Sequence, residues 1–242
     1  MNQHDSLRVR TEQHKAKNTF SKNDDKNIAV AAKMTIDYIQ TNFKEDIEQN
    51  GYSLEYQNSI TLEEIANFIK RKPNNPRDSF DSTYFDRAIK PDGGVIYLIT
   101  KEGDKLPLVI AEVKRQGTNK ERIQEGKKKQ AVGNAIERLG KNLTGIRAMM
   151  QYEDIVPFVC FGWGCDFGND ESAKTVLAKV STMNQFYPLN TKFIFKKDGQ
   201  FGMKSSGFSP VSMFFREKEW SVEEMYEIMV FIAETAFRYY IT

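Results

Sequence analysis

The chain is poor in cysteine and in net charge. Its 242 residues include two cysteines, Cys160 and Cys165, which are too few for a disulfide framework, so a reducing compartment such as the cytoplasm is expected. Lysine and arginine together number 35, against 33 for aspartate and glutamate. The resulting formal charge of +2 excludes a uniformly basic protein, so any surface that binds nucleic acid must be a local one.

Long apolar runs are absent as well. No stretch approaches the roughly 18 consecutive apolar residues of a membrane span, and the charged N-terminal residues lack the apolar segment of a signal peptide. We therefore expect a soluble protein of the cytoplasm. The chain does contain 40% hydrophobic and 12% aromatic residues, which excludes a disordered chain and suffices for a substantial core.

Apolar periodicity divides the chain into an arm and one large domain. Residues 1–26 are polar and charged and are predicted to form a partly flexible N-terminal arm, while residues 27–242 are predicted to form a single domain. Helical spacing of apolar residues predicts helices over 27–43, 61–69, 132–150, 173–183 and 221–237. Thr61 with Glu64, and Ser221 with Glu224, have the form of capping boxes that begin the second and the last of these helices. Runs rich in β-branched residues predict strands over 95–100, 106–114, 156–163 and 191–195. Strands separated by helices indicate the α/β class.

Two charged motifs flank a predicted antiparallel hairpin, 95–100 with 106–114. Lys90 to Gly94 precedes its first strand, and Ala111 to Lys114 ends its second. Since alternate strand residues share a face, Glu112 and Lys114 project together while the residue between them faces the core. The hairpin returns the chain to its starting edge, so Asp92 is expected beside this pair.

Two carboxylates and an ammonium group are suited to phosphodiester hydrolysis. Asp92 and Glu112 offer oxygen ligands to Mg²⁺, with the Ala111 carbonyl as a candidate third ligand. Lys114 can orient or deprotonate the attacking water, or stabilise charge. The plainer interpretation is a surface turn and a solvated strand end. The catalytic interpretation is favoured, because two charged groups on one face of an apolar strand are costly to bury and need either a function or access to solvent.

A second cluster lies where the helix over 132–150 begins. Gly133 and Asn134 precede or enter its first turn, where free N–H groups favour phosphates and an asparagine can pair with adenine. Arg138 follows one turn later on the same face, and Glu137 can hold it or accept from a base. The alternative is an ordinary helix cap. Several basic residues between Lys120 and Lys129 favour DNA binding.

These motifs resemble those of the EcoRI-type restriction endonucleases. The resemblance rests on the runs Ile89 to Gly94, Ala111 to Gly117 and Gly133 to Arg138, in the same order and at compatible spacings. It extends from the arm to Glu224–Met229 in the last helix. It implies a PD-(D/E)xK fold, in which helices flank a central mixed sheet of the five-stranded type. It also implies a Mg²⁺-dependent homodimer that cuts a palindrome in double-stranded DNA, leaving four-base 5′ overhangs. A cognate DNA methyltransferase is the expected biological companion.

The same resemblance assigns roles to individual residues. The active site would be Asp92, Glu112 and Lys114, in agreement with the chemical argument. The segment from Gly133 to Arg138 would read a central AATT. Within it, Asn134, the backbone of Ala135 and Arg138 would face bases, and Glu137 would help the subunits interlock. Gln116 would lie near a thymine methyl group, and Lys90 and Asn142 near phosphates.

The outer base pair of the target depends on the residues before Gly133. A family member that reads GAATTC has Met-Ala-Ala there, whereas this chain has Gln130, Ala131 and Val132. Ala131 matches that pattern and Gln130 departs from it, and a longer hydrogen-bonding side chain can alter the outer pair. GAATTC is the favoured full site.

Two other functions are compatible with the catalytic motif. A structure-specific repair nuclease of the same superfamily would share the catalytic motif, although the Asn134 to Arg138 cluster argues against it. A sequence-specific DNA-binding protein without catalysis would need Asp92 and Glu112 to serve only as a buried turn network.

Overall fold

The computed structural model describes residues 24–70, 88–115, 134–150, 155–164, 193–196 and 211–242, with 124, 126 and 153. The helices are α1 (24–42), α2 (Lys44–Asn50), α3 (Leu62–Lys70), α4 (Asn134–Met149) and α5 (Val222–Ile241). The strands are β1 (Ser53–Gln57), β2 (Ile60–Thr61), β3 (Ala88–Ile89), β4 (Val95–Ile99), β5 (Lys105–Arg115), β6 (Phe158–Trp163), β7 (Phe193–Lys196) and β8 (Val211–Arg216).

A mixed sheet organises the described parts of the chain. Its strand order is β1-β4-β5-β6-β8-β7. The β1–β4 and β4–β5 pairs are antiparallel, whereas β5–β6, β6–β8 and β7–β8 are parallel. The short strands β2 and β3 pair with each other separately. The predicted α/β class, the mixed sheet and the hairpin are confirmed, and the sheet carries a sixth strand.

The core lies between this sheet and its helices. Strand β5 is almost wholly apolar from Leu106 to Ala111, and those residues are buried, as are most of β4 and β6. Helix α5 packs against β5 and buries Met225, Ile228, Met229 and Phe237. Strand β5 contacts β4, β6, α3 and α5, so its side chains are held firmly in place.

Capping boxes begin two of the helices, as the sequence predicts. The Thr61 hydroxyl accepts from the Glu64 N–H at 3.1 Å, and the Glu64 carboxylate accepts from the Thr61 N–H at 2.8 Å. Ser221 and Glu224 make the same reciprocal pair before α5, at 3.2 and 2.9 Å. These side chains satisfy N–H groups that the first helical turn leaves without a partner.

Some features differ from the sequence analysis. Strand β1 was not predicted, because it lies at the edge of the sheet and is only half-buried, so its apolar alternation is weak. Strand β8 was also missed. Residues 24–26, assigned above to the arm, are helical. The helix predicted over 173–183 lies outside the described residues. No helix in the described ranges has the length and apolar character needed to cross a membrane.

Candidate active site

A tight turn at Pro91 to Gly94 places Asp92 beside strand β5. The Gly94 N–H donates to the Pro91 carbonyl at 3.0 Å, and Gly94 adopts a left-handed φ of 70°. Backbone bonds then tie the turn to the strand. The Gly93 N–H donates to the Ala111 carbonyl at 2.9 Å, and the Ala111 N–H donates to the Gly94 carbonyl at 3.0 Å. The turn is therefore an ordered extension of the hairpin.

Close packing explains why both residues after Asp92 are glycines. A Cβ atom at Gly93 would lie 2.4 Å from Cδ1 of Ile28 in α1. At Gly94 it would lie 2.5 Å from the Gln57 carbonyl oxygen, in addition to the strain of a positive φ. The Tyr56 hydroxyl donates to the Gly93 carbonyl at 3.2 Å. Helix α1 and strand β1 thus hold the turn from two sides.

The three predicted catalytic side chains meet at this turn. Lys114 Nζ donates to Asp92 Oδ2 at 2.5 Å and forms an ion pair with Oε1 of Glu112. The backbone N–H of Asp92 donates to Oε2 of Glu112 at 3.0 Å. The convergence predicted from the hairpin is therefore what the geometry shows: one ammonium group bridges two carboxylates.

Burial makes this cluster electrostatically unusual. The side chain of Glu112 is 0% exposed, whereas that of Asp92 is 38% exposed. Burial, together with the charge of Asp92, raises the pKa of Glu112 against the opposing effect of Lys114. Burial acts to lower the pKa of Lys114, but the two carboxylates outweigh it and the pKa is raised. A buried carboxylate beside a second one favours a cation between them.

The donor set fits a magnesium ion. Among the described residues there is no group of three or more His, Cys, Asp or Glu side chains that could form an all-protein cage. Mg²⁺ requires no such cage, since it commonly keeps several waters and takes one or two carboxylates. Asp92 and Glu112 could supply these two. The Ala111 carbonyl already accepts from the Gly93 N–H, and as a carbonyl it has a second lone pair.

Helix α4 brings a further side chain to the cluster. The Asn142 amide Nδ2 donates to Glu112 Oε1 at 3.2 Å, across 30 residues of sequence. The family resemblance places Asn142 near a phosphate, and nothing in the sequence indicates the contact with Glu112. The one sequence signal that Asn142 has a function is its position four residues after Arg138. This spacing puts it on the helix face of the candidate base-reading residues.

The remaining candidate residues lie before the turn, at the start of α4, or outside the described residues. Lys90 is exposed immediately before the turn. Helix α4 begins at Asn134, so Asn134, Ala135, Glu137 and Arg138 occupy its first two turns, as predicted. Gln116, Gln130, Ala131 and Gly133 lie outside the described residues.

Two acidic residues at the start of α1 also approach this region. Burial and the charge of Asp92 raise the pKa of Asp25, although Lys114 opposes the shift. Asp24 is buried, and burial together with Glu219 raises its pKa to about 6, against the effects of Arg115 and a hydrogen bond with Trp163. Neither residue was predicted to lie here, because both belong to a polar segment without apolar periodicity.

Comparison with known proteins identifies the family of the chain. A family model described as "Restriction endonuclease EcoRI" matches residues 13–241. The chain is 28% identical over 214 residues to "Type II restriction enzyme EcoRI" of Escherichia coli, which covers 77% of this chain and 76% of the relative. It is 26% identical over 211 residues to "Type II restriction enzyme RsrI" of Cereibacter sphaeroides, with the same coverage of 77% and 76%. The chain belongs to the EcoRI family of type II restriction endonucleases.

Proposed function

We propose that this chain is a Mg²⁺-dependent homodimeric endonuclease that cuts double-stranded DNA at a palindrome with a central AATT. GAATTC is the favoured full site, and the products carry four-base 5′ overhangs and 5′-phosphates. The observation that supports catalysis most directly is the meeting of Asp92, Glu112 and Lys114 at one point. Family membership and the matched relatives support the choice of substrate.

The roles of the three side chains follow from their positions. Asp92 is partly exposed and lies at the tip of an ordered turn, so it can face both solvent and a bound phosphate. Glu112 is buried and fixed by three donors, which makes it a rigid ligand. Asp92 and Glu112 would hold the Mg²⁺ ion together with the Ala111 carbonyl. When bound, Mg²⁺ supplies positive charge that offsets the charge developing on the phosphate.

Lys114 is the third functional group. Its Nζ donates to Asp92, and its side chain is 16% exposed, so a water or phosphate oxygen at the mouth of the site comes within its reach. An ammonium donor there orients the attacking water and stabilises negative charge on the phosphate oxygen. Removing it should slow hydrolysis more than it weakens DNA binding.

Sequence recognition is assigned to the start of helix α4 and to the segment before it. Asn134, the backbone of Ala135 and Arg138 face bases, Glu137 interlocks the subunits, and Gln130 and Ala131 face the outer pair. Gln116 lies near a thymine methyl group, and Lys90 contacts phosphate. The domain that begins with helix α1 serves both catalysis and recognition, after an N-terminal arm. A twofold dimer presents two such helices to a palindrome, and a methyltransferase protects the host sites.

Digestion of a plasmid of known sequence tests the proposal. Purified protein with Mg²⁺ should yield discrete fragments, and sequencing of their ends should map every cut to AATT within one palindrome. Asp92→Ala should bind the same duplex without cutting it. Random nicking or cutting confined to branched DNA would instead identify a structure-specific nuclease. Specific binding without scission would identify a DNA-binding protein.

A further inference from the structure

Helix α4 touches both parts of the chain that form the active site. Asn142 donates to Glu112 on strand β5 at 3.2 Å. One turn later, the Gly145 backbone comes so close to β3 that an added Cβ would lie 2.8 Å from Cδ1 of Ile89. Ile89 is three residues before Asp92. The helix therefore contacts Glu112 directly and packs against the segment that leads into Asp92.

Asn142 is one of several donors that surround the buried carboxylate of Glu112. Glu112 is 0% exposed, so its orientation depends on the protein donors around it rather than on water. Its Oε2 atom accepts from the Asp92 N–H, and its Oε1 atom accepts from Asn142 and pairs with Lys114. Asp92 and Lys114 belong to the hairpin itself. Asn142 is the donor that comes from a different element.

The same face of α4 leads back to the proposed base-reading segment. Asn134, Arg138 and Asn142 are spaced by four residues, so they lie along one face. Eight residues span about 12 Å of a rigid helix. A shift or rotation of the helix that accompanies base contact at its start must therefore move the Asn142 amide relative to Glu112.

We propose that Asn142 is a positioning residue that fixes the Glu112 carboxylate from helix α4 and thereby couples correct base contact to cleavage. The inference rests on the proposed function. It differs from a phosphate contact, which would contribute equally to the binding of every DNA sequence. An oriented ligand instead affects how fast the bound duplex is cut, because outer contacts of a metal ligand tune metal affinity and activity.

Asn142→Ala and Asn142→Asp separate these roles. Alanine removes the donor, and aspartate keeps the shape but places a second carboxylate against Glu112. The matched control is Asn42→Ala, which removes another helical asparagine whose amide bonds only the Tyr38 carbonyl, at 2.9 Å, among the described contacts. Circular dichroism melting of all variants confirms that each is folded.

Three measurements on these proteins decide the question. Equilibrium binding of the cognate and a random duplex in EDTA should stay close to wild type. The single-turnover cleavage rate of the prebound cognate duplex in Mg²⁺ should fall about 10- to 100-fold for Asn142→Ala, and further for Asn142→Asp. A site altered at one base pair should lose much less, so the discrimination between the two sites should shrink.

The outcomes that overturn the inference are distinct from a failure of the proposed function. If wild-type protein cuts no duplex, the proposed function itself fails. If wild type cuts and Asn142→Ala cuts the bound duplex at the same rate but binds both duplexes more weakly, Asn142 is a phosphate contact. Equal rate losses at the cognate and altered sites would reject the coupling to base contact.

Discussion

The backbone N–H of Asp92 donates a 3.0 Å hydrogen bond to the carboxylate of Glu112, 20 residues further along the chain. The turn that carries one proposed metal ligand is thus held by the side chain of the other. Displacing the Glu112 carboxylate therefore also releases the turn that carries Asp92. Changes at either should therefore affect the chemical step before they affect DNA binding.

Glu112→Gln tests this directly. The amide keeps the size of the side chain but removes its charge. Because its NH₂ group cannot accept a hydrogen bond, it leaves either the Asp92 N–H or the Lys114 and Asn142 donors without their acceptor. Cleavage of the cognate duplex should be abolished, while affinity for that duplex in EDTA should be retained. Gel-shift and cleavage assays on one preparation provide both values. Near-normal turnover would show that Glu112 is not part of the active site.

Two glycines with positive φ in the hairpin region allow a controlled test of the turn, with Gly94 as the test position and Gly103 as the control. Gly94 has a φ of 70° and is crowded by Gln57 and Tyr56, whereas Gly103 has a φ of 89° and nothing within 4 Å of an added Cβ. Alanine at Gly103 should cost about 1 kcal/mol of unfolding free energy through backbone strain alone. Alanine at Gly94 should cost about 1–3 kcal/mol more and should also slow cleavage. Urea denaturation measures both, and equal costs would show that the crowding is relieved without penalty.

Asp24 should make the protein less stable as the pH rises. Its pKa in the folded chain is about 6, above the ordinary 3.8, because it is buried and faces Glu219 and Asp25, with only Arg115 and Trp163 in opposition. The folded state therefore holds a proton that the unfolded state releases, and stability falls as the pH rises from about 4 to 6. Asp24→Asn should raise the unfolding free energy at pH 8 by on the order of 2 kcal/mol and should have little effect at pH 4.

Urea denaturation at these two pH values measures this effect. The baseline is Asp37→Asn, which makes the same change on an exposed part of α1. A stabilisation of Asp24→Asn that is equal at pH 4 and pH 8 would exclude the proton as its cause.

Base reading and phosphate contact can be separated with two single substitutions. Asn134→Ala should cost about 1–3 kcal/mol of specific binding and should relax the choice at one adenine. Lys90→Ala should weaken binding to every sequence alike and reduce the salt dependence of binding. Competition titrations with cognate, altered and random duplexes measure both. Equal losses on specific and random DNA for Asn134→Ala would reject base reading.

Much of the fold could be predicted from patterns of residues that are close in sequence. The capping boxes at Thr61 and Ser221 and the hairpin between β4 and β5 depend on residues close in sequence, and all three are present. Strands β1 and β8 escaped detection. Strand β1 lies at the edge of the sheet and is only half-buried, so its apolar alternation is weak. Strand β8 is defined by its pairing with β6 and β7, which precede it in the chain and are not its immediate neighbours in sequence.

The amino-acid sequence by itself determined the chemistry of the candidate site. Alternation along β5 puts Glu112 and Lys114 on one face, and the hairpin turn brings Asp92 back to them, since both effects act over short chain distances. Only the tertiary structure decided what surrounds these groups. Glu112 is buried, the Tyr56 hydroxyl donates to the turn, and Asn142 donates to Glu112. Each of these features depends on residues from different elements. Such contacts form only when helices and sheet pack together, and no periodicity within one segment records them.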